Sequence, residues 1–187
     1  YVLRRAILTM PAEKAFTMLN AVPLQRVTVA KEVIRLLGDL ASEEAYRMLL
    51  TMYDKEDLHR DVRIALLRAL WMYLEDDETW EVMESAAQSP DAAIAKSVAR
   101  IPSDRLSPKA QQHLLTVLAI LLSHIEPEVR QATLERCASL PIADAEKVLF
   151  PKILMALASR FPDERNIAAQ AFFATYTGKY ASAVSQA

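Results

Sequence analysis

Apolar residues recur at helical spacing along almost the whole chain, in short segments separated by connections of only a few residues. The pattern predicts helices over residues 1–9, 12–20, 24–39, 43–53, 58–74, 78–88, 91–101, 108–124, 127–139, 144–159 and 163–176. Connections this short make successive helices fold back on one another as antiparallel hairpins. Proline punctuates the pattern. Of nine prolines, eight (Pro11, Pro23, Pro90, Pro102, Pro108, Pro127, Pro141 and Pro162) fall where a helical segment starts or stops. Proline is tolerated there because the N–H it lacks would have no intrahelical partner. Ser89-Pro90-Asp91 and Ser107-Pro108-Lys109 each read as an N-cap serine followed by proline at the first helical position. Glu126-Pro127-Glu128 and Pro162-Asp163-Glu164 set carboxylates at the positive end of a helix dipole.

The segments also repeat. Five stretches that follow a turn are similar: Val27-Thr28-Val29-Ala30, Val62-Arg63-Ile64-Ala65, Ala92-Ala93-Ile94-Ala95, Val129-Arg130-Gln131-Ala132 and Arg165-Asn166-Ile167-Ala168. Their closing alanines stand 35, 30, 37 and 36 residues apart. Two helices of ~12–15 residues with two short turns need about that length. A Val one turn before a small Ala suits a face against which a neighbouring helix lies closely. Asp61-Val62-Arg63 and Glu128-Val129-Arg130 resemble the turn and second helix of HEAT repeats, and Phe150-Pro151-Lys152-Ile153-Leu154 resembles their first-helix proline. That resemblance accounts for the one proline inside a predicted helix, where a kink around residues 147–151 is expected.

The expectation is therefore an all-α fold: a right-handed α-α superhelix of about five HEAT-like hairpins in a single domain over residues 1–176, with a weakly patterned tail over 177–187. A bundle of eleven helices without repeat order is the alternative. The family resemblance implies a non-catalytic scaffold or adaptor that binds other proteins. Two further HEAT-like classes compete with it, DNA glycosylases that cradle duplex in their concavity and chromophore-lyase-type enzymes.

Composition removes several functions. Two glycines among 187 residues leave no phosphate-cradling loop. The single Cys137 can form neither an intrachain disulfide nor a multi-thiolate metal site, and its apolar neighbours predict a buried, inert thiol. His59, His113 and His124 have no metal-ligand spacing and read as surface or helix-end residues, and no nucleophile elbow is present. No cofactor is expected. The run from Leu114 to Leu122 falls far below the ~20 apolar residues that span a bilayer, so no membrane insertion and a cytoplasmic location are expected. The chain opens at Tyr1 rather than Met, and Val2, Leu3, Ile7 and Leu8 are apolar where a terminal cap should be polar. Membership of a larger protein, or self-association through the terminal helices, would cover them.

Charge is uneven although the formal total is −2: Lys and Arg against Asp and Glu number six to three over residues 1–40, five to twelve over 41–90 and eleven to nine over 91–187. Nucleic acid is thus a disfavoured partner. The central acids, including Asp76 and Asp77, surround Trp80. They read first as a solvated helix start and second as an acidic docking patch with an aromatic anchor. The segment 58–74 carries two apolar stripes, and the second, with Ile64, Leu67 and Trp71, is a candidate partner groove. Lys31, Arg35, Arg68, Lys96 and Arg100 recur at comparable places and are candidates for a basic ladder. Arg63 and Arg130 read as structural, bonding turn carbonyls or acids of the next unit.

Overall fold

The structure, a computed structural model, describes residues 2–140 and 145–176. Among them are eleven α-helices and no strand: α1 (Val2–Leu8), α2 (Ala12–Asn20), α3 (Val27–Leu40), α4 (Glu43–Tyr53), α5 (Arg60–Ala69), α6 (Asp77–Ala87), α7 (Ala92–Val98), α8 (Pro108–Leu121), α9 (Pro127–Ala138), α10 (Ala145–Leu157) and α11 (Pro162–Tyr176). The protein is all-α. The tail over 177–187 lies outside the described residues.

Boundaries depart from the sequence pattern where caps intervene. Helix α7 starts from Asp91 rather than Ser89, because the Asp91 carboxylate accepts the N–H groups of Ala93 and Ile94. Ser89 Oγ instead accepts the Asp91 N–H at 3.2 Å. The Ser107 cap forms as expected, accepting from Ala110 N–H at 3.2 Å with Pro108 in the first turn. α7 ends at Val98, three residues before the position that Pro102 bars from helical geometry. The segment 58–74 is divided: α5 tightens into a 3-10 turn over Leu70–Tyr73, which directs Tyr73 onto Tyr46 at a ring separation of 4.6 Å.

The chain forms two compact units, residues 1–79 and 80–187. In the first, α3 packs against α1, α2, α4 and α5. Gly38 allows α3 and α5 to meet backbone to backbone, since a Cβ there would lie 3.0 Å from both Cα and Cβ of Ala69. Ala41, just after α3, has φ 49° and ψ 37°, a left-handed conformation costly for a residue with a Cβ. Relief of that strain outweighs the greater freedom of an unfolded glycine, so Ala41→Gly is expected to stabilise the protein by about 0.5–1 kcal/mol in urea denaturation.

In the second unit, α9 packs against α7, α8 and α11, and α10 against α8 and α11. Leu114, Leu115, Val117, Leu118 and Leu121 are all buried, which accounts for the apolar girth of α8. Cys137 is buried here as expected, and burial pushes its thiol up to about 12.

Several polar links between elements recur at similar sequence offsets. In the first unit Arg4 bonds Asp39, Lys31 pairs with Asp61, Tyr73 donates to the Ser42 carbonyl and Thr79 donates to Tyr46. In the second, Lys96 bonds Glu128, His124 meets the Ser89 carbonyl, Arg136 bonds Ser103 and Arg130 bonds Glu164. Every one of these links joins residues 30 to 35 positions apart. Lys31 and Lys96 each directly follow the alanine that closes a tetrad, and each reaches the acid directly before the next Val.

Candidate functional site

An elongated groove of about 700 Å3 runs along α3 and α5 in the first unit. On α3 its wall carries Lys31, Glu32, Arg35 and Asp39; on the α5 side it carries Asp61, Ile64, Arg68 and Met72. Small residues, Gly38, Ala65 and Ala69, also line it, and Gly38 and Ala69 approach closely enough that a Cβ at 38 would lie 3.0 Å from Ala69. Positions 64, 68 and 72 are spaced by four, which lines them along one side of α5 and the turn after it.

Most charges of the groove are already answered. Lys31 Nζ lies 3.9 Å from Asp61 Oδ2, Arg35 bonds Glu32 within α3, and Asp39 accepts two hydrogen bonds of 3.0 Å from Arg4. Arg68 is exposed, and its guanidinium has no ion pair or hydrogen bond among the described residues. Ile64 is half-buried beside it, and Met72 is 60% exposed.

Lys31, Arg35, Ile64 and Arg68, singled out from the sequence on two separate grounds, thus share one surface. The other candidates lie elsewhere. Leu67 is 1% exposed and belongs to the core, which removes it from any open groove. Trp71 is half-buried outside the groove, its indole N–H buried without an acceptor among the described residues. Asp76 and Asp77 are exposed at the start of α6, as the solvated-helix reading has it. Trp80 is 1% exposed and stacks on His113 at 5.5 Å, so it offers a partner no surface and cannot anchor an acidic docking patch. At the chain's start, Ile7 is buried beside Leu19 and Val33 while Leu8 stays exposed; the side chains of Val2 and Leu3 lie outside the described residues.

Met72, Glu32, Asp39 and Asp61 join the groove without having been singled out as partner contacts. The spacing of Met72 from Ile64 and Arg68 carried the signal, but it fell between the two apolar stripes.

The signature arginines are structural. Arg63 donates to the Lys55 and Glu56 carbonyls and lies over the Tyr53 ring. Arg130 Nη1 donates to the carbonyls of His124 at 2.7 Å and Ile125 at 2.9 Å, while Nε and Nη2 hold both oxygens of Glu164 at 2.6 and 2.9 Å. Glu164 is only 2% exposed and also accepts from Ser159 Oγ at 2.7 Å. The Arg130 hydrogen bonds, against the opposing effect of burial, hold its carboxyl below the usual carboxylate range.

Two histidines close turns. His59 Nδ1 accepts the Asp61 N–H, and His124 Nδ1 accepts the Glu126 N–H, each at 3.1 Å. With Nδ1 an acceptor, the neutral ring of His124 carries its proton on Nε2 and donates to the Ser89 carbonyl at 3.0 Å. Among the described residues, no group of three or more His, Cys, Asp or Glu is arranged to hold a metal ion, and no helix is long and apolar enough to cross a membrane.

Fold and groove together define an all-α protein with a mixed-charge, partly apolar cleft between two helices. No family model matches the chain, and no curated protein matches it in sequence.

Proposed function

We propose that the chain is a HEAT-like array of about five helical hairpins, a right-handed superhelix, and that it serves as a non-catalytic scaffold binding other proteins within a larger protein or complex. The observation that carries the repeat reading is the offset of the polar links described above, 30 to 35 residues, which is close to the 30 to 37 residues between tetrads. Tetrads begin α3, α5, α7, α9 and α11, every second helix, and within each unit such helices pack on one another: α3 on α5, α7 on α9, α9 on α11. Stacked hairpins in which each unit covers the next would give these contacts. The groove along α3 and α5 supports the binding role, since it combines exposed apolar atoms with a cation left open. Its three acids facing three bases argue against a track for a phosphate backbone.

The test is affinity capture at physiological salt after nuclease treatment, followed by calorimetry with the purified captured protein. A saturable stoichiometric complex is expected, and a labelled 20-base-pair duplex should show no binding at that salt. Absence of any reconstituted protein complex, or duplex binding with a steep log-linear salt dependence, would overturn the proposal.

A further inference from the structure

We infer that the groove of α3 and α5 receives an acidic, apolar peptide segment of a partner, its carboxylate on Arg68 and an aliphatic or aromatic side chain against Ile64 and Met72. The inference rests on the scaffold reading and narrows it to one site and one partner chemistry. Charge complementarity decides the occupant. Lys31, Arg35 and Asp39 are matched by Asp61, Glu32 and Arg4, which leaves the Arg68 guanidinium as the groove charge unanswered among the described residues. A guanidinium presents paired N–H donors in a fork that fits a carboxylate two-pronged. On either side along the α5 face stand Ile64 and the exposed Met72, so the complementary ligand carries one anion next to apolar bulk. Met adapts its shape to varied apolar partners at little cost.

A nucleic-acid strand fits worse. Its evenly spaced phosphates would bring further anions against Glu32, Asp39 and Asp61. A peptide with a single acid among apolar residues meets none of them. The volume of about 700 Å3 suits a few side chains of one extended or helical segment rather than a folded surface.

The experiment is selection of a random dodecapeptide phage library on the full chain, followed by fluorescence anisotropy with the enriched peptides. Enriched sequences should pair Asp or Glu with a large apolar residue. Arg68→Glu should weaken their binding at least tenfold and Met72→Ala several-fold. Lys152→Glu, in a separate groove of the second unit, should change it less than twofold. Arg68 is exposed, so its variant retains the fold, which circular dichroism verifies. Peptides without an acid, equal binding by Arg68→Glu, or no enrichment at all would overturn this site. Equal binding by Arg68→Glu would leave the scaffold reading standing, whereas failed reconstitution of a protein complex, or salt-dependent binding of duplex, removes that. Sedimentation that shows a dimer broken by Arg68→Glu would name a second copy as the occupant and overturn the peptide assignment.

Discussion

Replacing Arg130 by Met is expected to destabilise the unit of residues 80–187 by about 3–5 kcal/mol at neutral pH, because it strands a carboxylate in the interior. Glu164 is 2% exposed, and two of the three side-chain hydrogen bonds it makes among the described residues come from Arg130. The same substitution frees the carbonyls of His124 and Ile125, so the turn before α9 loosens together with the start of α11. Urea denaturation, with amide exchange read on α9 and α11, measures the loss. Its pH dependence is informative in sign. In the wild type the Glu164 carboxyl is held below its ordinary value, so its stabilisation is complete above the unfolded carboxyl range near pH 4.3 and is lost as pH falls through the folded value. In Arg130→Met the relation reverses, since protonation neutralises the stranded charge, and the deficit should shrink on acidification. The double variant Arg130→Met, Glu164→Leu should recover most of the lost stability, because a well-filled apolar pair removes both charges. A deficit independent of pH would show that Arg130 acts through shape alone.

Trp80→Ala should cost about 3–5 kcal/mol, the range for emptying a large aromatic from a core. Trp80 is among the largest fully buried side chains, and its removal also ends the stack on His113. In a unit of this size the loss corresponds to a Tm lower by roughly 15 °C or more. Trp80→Phe, which keeps an aromatic face towards His113, should lose clearly less. Were Trp80 a surface anchor, its truncation would leave thermal denaturation almost unchanged and abolish partner capture instead.

How much of this could be read from the residues varies with the physics involved. Proline at the starts of α8, α9 and α11 fixes φ and lacks a donor, so those starts were visible in the sequence. The N-cap of α7 differs from the reading at Ser89 because serine and aspartate compete as caps, and Asp91, able to bond two N–H groups, wins. Trp80 illustrates a second kind of error. A charged flank, Asp76 to Glu78, marks the solvent side of a helix start, yet Trp80 stands two residues after Glu78, about 200° round the helix, and points inward. The groove was half legible. Recurrence brought out Lys31, Arg35 and Arg68, and the apolar stripe brought out Ile64, but only coordinates join α3 to α5. Leu67 fell in the same stripe as Ile64 and is nevertheless buried, because helices with several packed neighbours bury more than one face.

Direct apposition at Gly38 and Ala69 has a mechanical corollary. Cleft width at that level is set by main chains in contact, which have no rotamers to exchange, so the proposed peptide would require little ordering of the cleft. Position 38 is accordingly a wedge point. A side chain introduced there would splay the two walls while leaving Ile64, Arg68 and Met72 unaltered, a handle on the proposed recognition that acts through width rather than through charge.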